Sequence, residues 1–183
     1  MKLYLVQHAD AASKDTDPQR PLSEKGLSDA AKMAAFLFAT DVQVDEIVHS
    51  GKTRAEQTAN VLSKAVWQGK ATIEIEGLGP NDSTDHLLHS AQVAGGDLMA
   101  VGHLPFMAKL AARCLTGSED GVLVNFEPGA VVCLERQEEG WALSWMQRPS
   151  MLHTIPQGGP GRQFLPTTEA EENAEFQWSK SSP

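Results

Sequence analysis

Strand-like apolar runs alternate with helix-like ones along this 183-residue chain. The alternation predicts an α/β fold, a three-layer α/β/α sandwich around a mostly parallel sheet, because right-handed crossovers place helices on both faces. Two of the strand-like runs, 3–6 and 98–101, each lead within two residues to a histidine, His8 and His103. In an open parallel sheet, side chains at the carboxyl edge converge on the crevice where small ligands bind. Toward the end of the pattern, runs 130–134 and 141–145 flank a polar turn ending at Gly140, which predicts an antiparallel hairpin at the sheet edge.

Each element follows from spacing. Leu3 to Val6 reads as a buried strand; after an irregular stretch, Leu27, Ala30, Ala31, Ala34 and Leu37 recur at helical period. Val44 to Val48 gives a second strand, and Ala55, Thr58, Ala59, Leu62, Ala65 and Val66 a second helix. Ile73 to Ile75 is a weaker strand and 87–93 a short helix. Leu98 to Val101 is a strand, and Met107, Leu110, Ala111 and Cys114 mark the helix after it. Trp141 and Trp145, by their even spacing, share one face of the hairpin and pack into the core. From Met151 the periodicity stops, and a Pro/Gly-rich stretch precedes the acidic run 169–175. One domain over 1–150 and a tail over 151–183 are therefore expected, with Phe164, Phe176 and Trp178 as candidate anchors of the tail.

Composition narrows the function. A net charge of −9 repels nucleic acid phosphates, so an anionic ligand must be drawn by a local cationic pocket. No apolar stretch approaches the ~20 residues of a membrane span, and Met1-Lys2 leads straight into a short strand-like run rather than a signal-peptide core. A cytoplasmic protein is expected. Cys114 and Cys133 lie in apolar segments without CxxC spacing, as buried reduced thiols do.

A histidine nucleophile toward phosphorus needs a neutral nitrogen aimed in line, with cations or donors around the phosphoryl oxygens. His8, Arg54 and His103 can meet those needs. Thr53-Arg54-Ala55-Glu56 has the form of a capping box, predicting Thr53 as N-cap with Glu56 reaching back to it. That puts Arg54 beside free backbone donors at the positive helix end, an anion site.

Val6-Gln7-His8-Ala9, Arg20-Pro21-Leu22-Ser23-Glu24-Lys25-Gly26, Ser50-Gly51-Lys52-Thr53-Arg54-Ala55-Glu56-Gln57-Thr58 and Val101-Gly102-His103-Leu104-Pro105 stand in this order. Jointly they resemble the histidine phosphatase superfamily, with its phosphoglycerate mutase-like fold, and within it the SixA-like phosphohistidine phosphatases. The resemblance implies His8 as nucleophile, forming a covalent phosphohistidine that water hydrolyses. It implies Arg54 and His103 as binders of the phosphoryl oxygens, with Arg20 reaching in from its loop. It implies no metal and no cofactor, and a phosphohistidine-containing protein or a small phosphate ester as partner.

Gln7 departs from the family pattern, which has arginine before the nucleophilic histidine. An amide still donates hydrogen bonds but lacks the charge and the fork of guanidinium. One lost charge-assisted hydrogen bond corresponds to about 1.5–3 kcal/mol, roughly 10- to 150-fold in rate. The alternatives are thus a catalytically weakened phosphate-binding or regulatory module and a small-molecule phosphomonoesterase. Glu76 and Asp82, after the third strand, are candidates for a general acid, with no spacing that selects either. Ser50-Gly51-Lys52-Thr53 is not a P-loop, since Glu46 stands where that motif needs glycine. His86 and His89 lack a third metal ligand; His49 and His153 read as surface or packing residues.

Overall fold

The computed structural model describes residues 1–152. The remaining chain, with His153, Phe164, Phe176 and Trp178, lies outside the described residues. The elements are β1 (Lys2–Gln7), α1 (Glu24–Ala39), β2 (Glu46–His49), α2 (Thr53–Val66), β3 (Ile73–Glu74), α3 (Asp85–Ala94), β4 (Leu98–Gly102), α4 (Phe106–Thr116), β5 (Val131–Gln137) and β6 (Gly140–Gln147), followed by a short 3-10 turn at Pro149–Met151. One six-stranded sheet runs in the order β3-β2-β4-β1-β5-β6. The first four of these are parallel, and β5 and β6 close one edge as the expected antiparallel hairpin.

The sheet separates two apolar layers. Met33, Leu37, Ala55, Ala59 and Leu62 of α1 and α2 pack with Tyr4, Val6 and Val101 on one face. Leu87, Phe106, Met107 and Leu110 of α3 and α4 pack with Leu3, Leu5 and Ala100 on the other. Neighbouring strands β1 and β4 therefore send their chains to opposite faces, and a crevice opens between their carboxyl ends. Among the described residues no helix is long and apolar enough to cross a membrane.

Two expectations are corrected. Trp141 joins the α3/α4 side and Trp145 packs on the α1/α2 side. Cys133 pairs with Trp145 but Leu134 pairs with Leu143, so a bulge at Ser144 inverts the alternation between the two tryptophans. On α1, Leu27 is 46% exposed. The buried stripe runs instead through Gly26, Ala30, Met33, Ala34 and Leu37.

Gly26 explains that rotation. Ser23 caps α1, its Oγ accepting from Gly26 N–H at 3.0 Å and donating to Asp10 Oδ2 at 2.5 Å. A Cβ at Gly26 would stand 1.9 Å from the Asp10 carbonyl oxygen, a backbone atom that cannot swing away. Alanine in place of glycine in a helix interior ordinarily adds up to about 1 kcal/mol of stability. Here Gly26→Ala is expected to destabilise, by about 1–3 kcal/mol from the clash, measured as a lower urea midpoint. A raised midpoint would contradict the close approach of the Asp10 loop.

Candidate active site

Register assembles the site. Gln7 of β1 is paired with Gly102 of β4, so the next residues, His8 and His103, leave the sheet side by side. His8 N–H donates to Gly102 O at 3.0 Å, and the two imidazole centroids are 4.9 Å apart. From the α1/α2 side, Arg54 Nε donates to His8 Nε2 at 3.1 Å. Thr58 holds that geometry: its Oγ1 accepts from Ala9 N–H at 3.0 Å and donates to Arg54 O at 2.7 Å.

The capping box is not formed. Lys52 is the N-cap and makes no side-chain cap bond, so Thr53 is already helical. Ala55 N–H and Glu56 N–H both donate to Lys52 O, at 2.7 and 3.0 Å. Gly51, at φ +73°, turns the chain into α2 one residue earlier than the pattern predicts. Arg54 remains in the first helical turn, beside the positive helix end.

Arg20 sits in the left-handed region at φ 50°, a backbone conformation costly for a long side chain and often found at functional sites. Its Nε donates to Ala12 O at 3.1 Å. Its charge reaches His8, His103 and Arg54 and lowers the proton affinity of all three. Gln7 is brought to the same sheet edge, yet its Oε1 is buried without a hydrogen-bond partner, so it accepts no bond from Arg54, Arg20 or His103.

Both histidines are neutral. Burial pushes His8 down to about 4, helped by Arg54 and Arg20 and opposed by the Ala9 carbonyl and Asp10. Burial pushes His103 down to about 3, with His8, Arg54, Lys52 and Arg20 acting in the same direction. His8 Nδ1 lies 2.8 Å from Ala9 O. A carbonyl can only accept, so Nδ1 carries the proton and Nε2 presents its lone pair. A neutral imidazole with an unprotonated Nε2, a second imidazole and the charges of Arg54, Arg20 and Lys52 thus act together in a chain of net charge −9.

Asp10, Ser50, Lys52 and Thr58 were not singled out in the sequence as site residues. Asp10 and Lys52 act through charge, Thr58 joins Ala9 to Arg54, and Ser50 Oγ lies 2.6 Å from His103 Nε2. Their signal was proximity to the histidine and arginine motifs. Glu76 and Asp82 are exposed, and Asp82 Oδ2 accepts from Gly79 N–H at 2.7 Å. His49 is buried, accepting from Gly51 N–H at 3.1 Å through Nδ1, whereas His86 and His89 are exposed. Among the described residues no group of three or more His, Cys, Asp or Glu could hold a metal ion. A cavity of about 500 Å³ lined by Lys2, Tyr4, Phe36, Asp97 and Trp145 lies at the opposite end of the strands and includes none of the predicted site residues.

No family model matches the chain. Phosphohistidine phosphatase SixA of Escherichia coli strain K12 is 23% identical over 158 residues, covering 83% of this chain and 96% of that protein. The structure of the protein histidine phosphatase SixA complexed with tungstate superposes with a TM-score of 0.75 at 22% identity, over 84% of this chain and 100% of that one. The chain shares the fold of the SixA phosphatases. A further SixA-like fold, the putative phosphohistidine phosphatase SixA from Agrobacterium tumefaciens, has a TM-score of 0.66 at 24% identity, covering 81% of this chain and 97% of its own.

The depressed histidines set a pH dependence. Unfolding returns both to the ordinary value of 6.5, so the unfolded chain binds more protons below that pH. The stability contributed by the neutral rings is complete above about pH 6.5 and is lost as pH falls through about 4 and then about 3. In NMR titration the His8 and His103 rings are expected to stay neutral to about pH 5. Titration of either near its ordinary value would contradict the burial described.

Proposed function

We propose that the protein is a phosphohistidine phosphatase in which His8 is the nucleophile and Arg54, His103 and Arg20 bind the phosphoryl oxygens. The observation that carries this reading is the state of His8: Nδ1–H is held by Ala9 O, and Arg54 Nε donates to the free lone pair of Nε2. Arg54 in this position marks where a phosphoryl oxygen would take over its hydrogen bond. Relatives named as phosphohistidine phosphatases support the choice of substrate.

In the reaction proposed, the Nε2 lone pair attacks phosphorus and the bond from phosphorus to the leaving group breaks. The electron pair of that bond departs with the leaving group. Water then attacks the phosphorus of phospho-His8, the P–N bond breaks, and inorganic phosphate leaves with Nε2 regaining its lone pair. Arg54, Arg20 and Lys52 neutralise charge on the oxygens, the kind of stabilisation that dominates phosphoryl transfer. A phosphoramidate needs little help from a carboxylic acid once its ring is protonated, consistent with Glu76 and Asp82 lying exposed. The partner would be a phosphorylated cytoplasmic signalling protein.

Gln7 supports a second reading, a phosphate-binding regulatory module with little turnover, because the amide supplies no charge at that position. Phosphate release from a phosphohistidine peptide and from p-nitrophenyl phosphate separates the two. Wild type is expected to release phosphate, more readily from the peptide, and His8→Ala to release none. Equal inertness of both, with phosphate binding retained, would leave only the binding module.

Gln7→Arg restores a guanidinium beside the nucleophile and is expected to raise kcat/KM by about tenfold or more, from a charge-assisted bond of 1.5–3 kcal/mol. Unchanged or lower activity would mean that Arg20 and Lys52 already supply the charge.

A further inference from the structure

We infer that Ser50 is a positioning residue that sets the orientation and tautomer of His103; this rests on the phosphatase reading only for its kinetic consequence. His103 is 3% exposed. Its Nδ1 is buried without a hydrogen-bond partner, while its Nε2 lies 2.6 Å from Ser50 Oγ. A neutral imidazole carries one N–H, and with the proton on Nδ1 that donor would be buried and unpaired. With the proton on Nε2, Ser50 Oγ accepts it while the site is empty, and the ring is held in the tautomer whose single N–H an entering phosphoryl oxygen can share with or take over from Ser50.

The serine is itself held by the sheet edge rather than by a free loop. His49 and Glu74 are paired in register between β2 and β3, and Gly51 N–H donates to His49 Nδ1 at 3.1 Å. The Glu74 side chain lies against Gly51 so closely that a Cβ there would stand 2.1 Å from Oε1. His49 and Glu74 thus both pack against Gly51, the turn beside Ser50, whose Oγ reaches His103. Lys52, two residues on, adds the charge that acts on the same ring.

The test combines a tautomer measurement with a double-mutant cycle. By ¹⁵N-resolved NMR of the whole protein, His103 is expected to be protonated on Nε2 in wild type and in Ser50→Thr, and a mixture of tautomers in Ser50→Ala. Orthovanadate inhibition and kcat/KM are expected to weaken about tenfold in Ser50→Ala, the fold-change of one ordinary hydrogen bond. Ser50→Thr, which keeps the hydroxyl, is expected to retain both. In a His103→Ala background, Ser50→Ala is expected to add no comparable loss, since the two residues act as a unit. A His103 tautomer unchanged by Ser50→Ala, or an equal loss in both backgrounds, overturns the inference. If wild type neither turns over phosphohistidine nor binds vanadate, the phosphatase reading fails, and the tautomer measurement still decides the role of Ser50.

Discussion

The site depends on the parallel register of β1 and β4. With Gln7 opposite Gly102, the residues that follow are two histidines with ring centroids 4.9 Å apart. A one-residue slip in this pairing would turn one histidine to the opposite face and dissolve the site, since alternate residues of a strand face opposite ways. The register is held by the apolar layers: Leu3 and Leu5 must meet the α3/α4 side, and Tyr4 and Val6 the α1/α2 side. Core packing and site geometry are thus one constraint.

Electrostatics builds on that frame. Burial alone would cost two charged imidazoles heavily, and the nearby cations add to the cost. Both rings therefore stay neutral, at about 4 and about 3. For His8 this leaves the Nε2 lone pair free of a proton, as the proposed nucleophile requires; for His103 it makes a ring whose proton must be placed by a neighbour. The same cations that suppress protonation of the rings attract an anion, and an anion entering the site would raise both proton affinities.

Much of this was readable in the sequence because it is periodic or local. The strand-helix alternation, the terminal hairpin and the buried face of α2 follow from the spacing of apolar side chains. His8, Arg54 and His103 stood out as strand-end or helix-start residues, and the structure brings them together with Arg20. What escaped depends on single backbone details. The Ser144 bulge separates Trp141 from Trp145, the left-handed Gly51 moves the cap of α2 to Lys52, and the Asp10 carbonyl rotates α1 about Gly26. Thr58 was assigned to the core face and is buried there, but its hydroxyl also joins Ala9 to Arg54. Periodicity cannot reveal such a second use.

The most direct test of His8 as the attacking group is rapid chemical quench during turnover of a phosphohistidine peptide, followed by mapping of the phosphorylated residue on the protein. Transient, acid-labile and base-stable phosphate on His8 Nε2, absent from His8→Ala, is the expected result. Turnover by wild type with no phosphoryl group on His8 at any time, or with phosphate on Nδ1, would contradict it.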